Sequence, residues 1–243
     1  MQGPDGADRS VANAQEQLLA EFDELVDSDD LQRVGDRFLR DSARLVDGFL
    51  STGELNLADD PFKGRDREVA GDSELFYTMF WRLFDRTPAA MMQDFAIRLR
   101  RILARKVFKQ VGRDVTIHHD VLFSSGGNIT LGDGVFINRR VMLDDRGALT
   151  IGDHSMLAAG VTIETHAHVF DDFSKPMPQG GRLMKPVTIG SECLLGYNAV
   201  VMAGTTIGDR VIVASNSVVT KDVADYHVVG GVPAKPIKVI APE

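Results

Sequence analysis

His166 and His168 stand one residue apart in the segment Ile163-Glu164-Thr165-His166-Ala167-His168-Val169-Phe170-Asp171. Imidazole titrates near neutrality and is the commonest general base. The pair therefore offers a proton acceptor, and the ordinary alternative is two surface histidines. Their position argues for chemistry. They open the longest break in an otherwise regular pattern, followed by Pro176, Pro178, Gly180, Gly181 and Pro186. Prolines and glycines at that density end regular strands. A long loop on a rigid scaffold is often functional. The other reactive side chains say less. Cys193, the single cysteine, reads as a small buried filler. His118 and His119 lie at an early corner, away from the break, and read as surface residues.

The pattern that the histidines interrupt spans residues 117–223. Ile117 and Phe123 are six apart, as are Leu131, Ile137 and Leu143, then Ile151, Leu157 and Ile163, then Ile189, Leu195, Val201, Ile207, Val213 and Val219. A period of six matches neither the 3.6 of a helix nor the 2 of a half-buried strand. Fixed periods mark stacked architectures. Small or β-branched residues recur between the aliphatics: Val121, Val135, Val141, Ser155, Val161, Cys193, Ala199, Thr205, Val211, Ser217 and Val223. They fit inward beside a long neighbour without overfilling the core. Gly132, Gly152, Gly190, Gly196 and Gly208 follow an aliphatic directly. This suits tight corners, where glycine tolerates positive φ. The simplest solid is a triangular prism of three six-residue sides per coil, with coils stacked at about 4.8 Å.

This repeat resembles that of the hexapeptide-repeat acyltransferases. The resemblance implies an all-β domain, a left-handed parallel β-helix. The handedness comes from the family, since the general rule for parallel crossovers favours the right hand. The expected organisation is an α-helical N-terminal region over 1–110 and the β-helix over 111–243, with a loop extruded at about 164–186.

The break is similar to the active-site loop of the maltose and galactoside acetyltransferase branch, where the base closes an Ile-x-Thr-x-x-His frame. That frame selects His168 as the catalytic base. Val169 replaces the proline that usually follows, so the register is looser and His166 remains an alternative base or a substrate contact. The segment from Phe136 to Asp145 resembles the acceptor-binding coil of that branch, with Asn138 and Asp145 on its polar positions. Asn138 is expected to orient the reacting groups and Asp145 to bind the acceptor. Each is equally a corner residue satisfying its own backbone. Residues 213–223, with Gly230-Gly231-Val232-Pro233-Ala234-Lys235, are very close to the family's C-terminal signature. By position, Tyr197, Ser215, Thr220, Lys221, Lys235 and Lys238 are expected to line a coenzyme A groove, the lysines as point charges for phosphate.

The resemblance thus implies direct acyl transfer from acyl-CoA to a hydroxyl of a sugar or glycoside, with no covalent intermediate and no metal. It also implies a homotrimer with active sites between subunits. Relatives commonly carry Trp-Ile-Gly in the coil after the loop, where this chain has Leu194-Leu195-Gly196-Tyr197. The altered wall suggests a donor longer than acetyl, such as a medium-chain octanoyl group. Two other readings share the coil. A zinc-dependent, carbonic anhydrase-like hydratase needs three converging histidines, which the His166-x-His168 spacing does not supply. A serine acetyltransferase-like enzyme would carry an Asp-Arg-His-Pro loop that is absent here.

Composition agrees. Over 243 residues the chain is 44% hydrophobic and 26% charged, with net charge −8. That is no design for attracting nucleic acid or anionic membrane. The start lacks a basic and apolar leader, and no apolar run is long enough to span a bilayer. A cytoplasmic enzyme is expected. Helical patterns precede the coils. One begins near Ser10, and a second carries Leu31, Val34, Phe38 and Leu45. A third over 74–85 is rich in aromatics (Phe76, Tyr77, Phe80, Trp81, Phe84), which read as core or subunit contact before acyl-chain site. The fourth, over 89–110, packs by Phe95, Leu99, Ile102 and Leu103. Its Arg98, Arg100, Arg101, Arg105, Lys106 and Lys109 read as a solvated face.

Overall fold

A computed structural model of the chain describes Glu16, Gln17, Ala20, Asp23, Glu24, residues 72–171, 173, 174, 176 and 179–241. The second expected helix lies outside the described residues. The chain divides into two compact units, Met1–Leu103 and Ala104–Glu243.

In the first unit, α1 spans Asp72–Phe84 and a single turn of 3-10 helix spans Pro88–Met91. The fixed φ of Pro88 suits that first turn. The helix α2 follows at Gln93–Val107, its last four residues belonging to the second unit. Tyr77, Phe80, Trp81 and Phe84 of α1 are buried, as are Phe95, Leu99, Ile102 and Leu103 of α2. These four aromatics of α1 are core. Arg100 does not lie on the solvated face expected of it: it is 1% exposed. Its guanidinium donates to Asp85 Oδ1 through Nε at 2.8 Å and Nη2 at 2.6 Å, and it lies over the Phe84 ring. A charge can be buried only when paired in this way.

The second unit is a parallel β-helix of short strands in three sheets. Register puts like on like. Leu131 pairs with Ile151, Ile117 with Ile137 and Leu143 with Ile163. All fourteen ladder aliphatics, from Ile117 to Val219, are at most 3% exposed. Each buried aliphatic contributes about 1.5–3 kcal/mol relative to exposure. The small inward residues are buried as well, apart from Val223 in the last coil, which is half-buried.

The glycines that follow an aliphatic have a different role from the one expected of them. Positive φ occurs two residues later in the repeat, at Gly134, Arg140, His154, Gly160, Glu192, Asn198, Gly204, Arg210 and Asn216. At Gly152 a Cβ would instead lie 2.6 Å from the Gly190 carbonyl carbon, and at Gly190 2.6 Å from that of Gly208. These glycines let one coil's backbone press onto the next.

The break after Ile163 is not wholly irregular. Strands His166–His168 and Arg182–Met184 pair antiparallel as a hairpin extruded from the prism. The tail rejoins the coil: His227–Gly231 adds a parallel strand beside Ile212 and Val213, then turns back to pair with Ala234–Val239.

Candidate active site

The extruded hairpin leaves from the corner that follows the third side of a coil. The corner directly beneath it, in the preceding coil, begins with Asp144 and Asp145. The register that sets Leu143 on Ile163 brings Asp144 under the root of the hairpin. The two carboxylates then diverge. Asp145, 1% exposed, serves the coil before. It accepts from the amides of Ser124 at 2.6 Å and Gly126 at 2.6 Å and from Ser125 Oγ at 3.0 Å. Asp144, 2% exposed, serves the coil after. Its Oδ2 accepts from the Thr165 amide at 2.9 Å and the Thr165 hydroxyl at 3.0 Å, and lies 2.6 Å from His166 Nδ1. Its Oδ1 accepts from Arg146 Nη1 at 2.9 Å.

Burial works to raise the Asp144 carboxyl, but the Thr165 amide, the His166 ring and the Arg146 guanidinium outweigh it and hold the group below the usual carboxylate range. Thr165 also ties the hairpin root: Gly147 donates to its hydroxyl at 2.9 Å, and Lys185, just past the returning strand, donates to its carbonyl at 2.7 Å. The histidines are thus carried on a short hairpin pinned at both feet.

His166 and His168 occupy alternate positions of one strand, so both rings project to the same face. Their centroids are 5.5 Å apart at 71°. The His166 side chain is 11% exposed. His168 is exposed, and its side chain makes no hydrogen bond among the described residues. Glu164 Oε2 lies 3.8 Å from His166 Nδ1. Donor atoms of Asp144, Glu164 and His166 lie within 4.8 Å of one another, close enough to hold a cation. Arg146 already supplies positive charge there, 2.9 Å from Asp144, and the cluster holds one imidazole where a hydratase would need three.

The other expected site residues divide between corners. Asn138, Tyr197 and Ser215 lie at the corner between the second and third sides. The Asn138 side-chain oxygen accepts its neighbour's amide, Arg139 N, at 2.8 Å. Tyr197, 42% exposed, accepts from Arg140 Nη2 at 2.9 Å. Ser215 is exposed. Thr220 and Lys221 begin the hairpin's own corner in the last coil, and both are exposed; so are Lys235 and Lys238 on the C-terminal strand. Asp144, Arg146 and Glu164 were not singled out from sequence. A signal existed: residues that follow the ladder aliphatic stack from coil to coil, so Asp144 had to meet the residues after Ile163. Cys193 is buried, and burial pushes its thiol up, which suits a filler and not a nucleophile.

Residues 186–221 match the family model described as the hexapeptide repeat of succinyl-transferase. The chain is 32% identical over 145 residues to the galactoside O-acetyltransferase of Escherichia coli strain K12, covering 59% of this chain and 70% of that enzyme. Its fold is similar to that of a hexapeptide-repeat-containing acetyltransferase of Vibrio cholerae complexed with acetyl coenzyme A. The TM-score is 0.59 at 28% identity, over 68% of this chain and 86% of that one. A galactoside acetyltransferase in complex with coenzyme A superposes with TM-score 0.61 at 26% identity, over 72% of this chain and 86% of that one. Sequence and coil agree, and the chain belongs to the hexapeptide-repeat acyltransferases, whose left-handed parallel β-helix it shares.

Proposed function

We propose that the protein transfers an acyl group from acyl-CoA to a hydroxyl of a sugar or glycoside, with His168 as general base. The observation that carries this is the pinned hairpin, whose root is tied to the buried Asp144 carboxylate and which holds an exposed imidazole with no hydrogen-bond partner among the described residues. The relatives that share the coil are acetyltransferases, two of them with coenzyme A or its acetyl thioester bound. His168 accepts the hydroxyl proton as the oxygen attacks the thioester carbonyl. A C–O bond forms, the C–S bond breaks, and the proton passes from imidazole to the departing thiolate. No covalent enzyme intermediate is needed.

Coenzyme A fits the exposed side chains Ser215, Thr220, Lys221, Lys235 and Lys238, the lysines as point charges for phosphate. On one chain Tyr197 and Ser215 occupy a different corner from His168. We read the groove as completed by a neighbouring copy in a homotrimer. The donor's acyl chain extends past acetyl along a wall made by Leu194, 40% exposed, and Tyr197.

The Asp144–His166 contact favours a second reading in which His166 is the base, since a carboxylate that fixes one ring nitrogen prepares the other. Thiol release from acyl-CoA separates the two. His168→Ala is expected to lower turnover by about 10²- to 10⁴-fold, with its circular dichroism and oligomeric state unchanged. Near-normal turnover in that variant removes His168 from the chemistry.

A further inference from the structure

His166 Nδ1 faces the Asp144 carboxylate at 2.6 Å. A carboxylate only accepts, so Nδ1 carries a ring proton, and in the neutral imidazole Nε2 then carries the lone pair. Nε2 has no hydrogen-bond partner among the described residues. Among those residues, no buried side-chain nitrogen or oxygen is left without one. Nε2 is therefore open to solvent, although the side chain as a whole is 11% exposed. The accessible atom of a mostly covered ring is its one acceptor. That acceptor belongs to the ring 5.5 Å from His168 on the same face of the hairpin.

We infer that His166 is a specificity-determining residue whose Nε2 accepts a hydrogen bond from a second hydroxyl of the acceptor, so that the acceptor carries hydroxyls on neighbouring carbons. This rests on the reading of His168 as base. A hydroxyl has one proton and can give it to one nitrogen. The attacking hydroxyl gives its proton to His168, so an acceptor-only Nε2 beside it needs a second O–H. Oxygens on adjacent carbons of a sugar lie roughly 3 Å apart, about one hydrogen-bond length. Two imidazoles at the observed spacing can reach such a pair, one ring to each oxygen. Asp144 is the positioning residue: it holds the proton on Nδ1 and so keeps Nε2 an acceptor. Arg146, 2.9 Å from Asp144, balances the carboxylate's charge, and its Nη1 lies 3.4 Å from His166 Nδ1, on the Asp144 side of the ring.

The test is the rate of thiol release from acetyl-CoA with methyl β-galactopyranoside and each of its monodeoxy analogues. The wild-type protein is expected to lose on the order of tenfold in kcat/KM with the analogue that lacks the recognised hydroxyl, the worth of one hydrogen bond. His166→Phe keeps the ring shape without its nitrogens. It should lose the same factor with the parent glycoside and show no further loss with that analogue, because both changes remove one contact. His166→Gln returns an acceptor to that place and should recover part of the parent rate. Equal rates of the wild type with all the glycosides, or no acylation of any, overturn the inference. So does a deoxy penalty that persists in His166→Phe. If His166→Phe behaves as wild type while His168→Ala is inactive, only this inference falls. If His166→Phe is inactive with every acceptor and His168→Ala is active, the base assignment falls with it.

Discussion

The Nδ1 of His166 lies 2.6 Å from a carboxylate oxygen of Asp144, a residue of the preceding coil. The same oxygen receives the Thr165 amide and hydroxyl. One buried group therefore both pins the hairpin and fixes a ring on it. Asp144→Asn removes the charge and keeps the shape. Losing hydrogen bonds to a charged group is expected to lower unfolding stability by about 2 kcal/mol at neutral pH.

The sign of the pH dependence follows from the direction of the shift. Asp144 is held below its usual range in the folded chain. Its contribution is full above the unfolded value, about 3.9, and is lost as pH falls through the folded value. The gap between wild type and Asp144→Asn should be open at pH 7 and close in acid below about pH 4. Urea denaturation at both pH values reads it. A gap that widens in acid would contradict the carboxylate's role.

The prism was legible because its core obeys a one-dimensional rule. Ile137 is inward for the same reason as Ile117 and Leu157, and a period of six exposes that in the sequence alone. The divergence of Asp144 and Asp145 was not legible. Both follow Leu143 at a corner, and composition cannot say which carboxylate turns to the coil before and which to the coil after. That choice depends on where the loop at Ser124 and Ser125 presents its amides. Arg100 was hidden similarly. Its neighbours on α2 are basic, and only the fold brings Asp85 to it. The hairpin base loop was visible as a break in the ladder, whereas the pairing of His166 with Met184 needs two segments separated by prolines and glycines to meet.

The inter-coil glycines give a second prediction. Gly152→Ala places a methyl 2.6 Å from one backbone atom of the next coil and 2.7 Å from another. Backbone cannot swing aside as a side-chain end does, so the coils must separate locally. Overpacking of this kind costs about 1–3 kcal/mol. Gly127→Ala is the control, since its Cβ would meet nothing within 4 Å. Removing chain freedom there should leave stability unchanged or raise it by about 0.4–1 kcal/mol. Thermal unfolding of the two variants should shift in different directions or at least by clearly different amounts. Equal melting temperatures would show that the stacking tolerates a Cβ after the aliphatic.

The buried pair in the first unit gives a third. Arg100 donates twice to Asp85 and once to the Ala90 carbonyl at 3.2 Å, while Trp81 Nε1 donates to Asp85 Oδ2 at 3.2 Å. Arg100→Met leaves a covered carboxylate with its cation removed, and breaking a buried pair from one side costs about 3–5 kcal/mol. Adding Asp85→Leu removes the stranded charge and should restore part of the loss, so the two changes will not be additive. Chemical denaturation of both single variants and the double variant measures the cycle. Additive losses would mean that the pair is not coupled.

The wall made by Leu194 and Tyr197 gives the last. Leu194 and Tyr197 belong to the first coil after the hairpin returns, and both side chains are more than a third exposed, at 40% and 42%. Arg140 Nη2 donates to the Tyr197 hydroxyl at 2.9 Å, which fixes that end of the ring. A chain of several methylenes laid on that surface buries apolar area at about 0.8 kcal/mol per CH₂, offset in part by the entropy of ordering it. kcat/KM should therefore rise from acetyl-CoA through hexanoyl-CoA to octanoyl-CoA. In Leu194→Trp, which raises a bulky wall at this coil, the order should reverse in favour of acetyl. A wild-type protein that clearly prefers acetyl-CoA would show that the donor end of the groove is closed by something other than this wall, and the proposed chain length would fall with it.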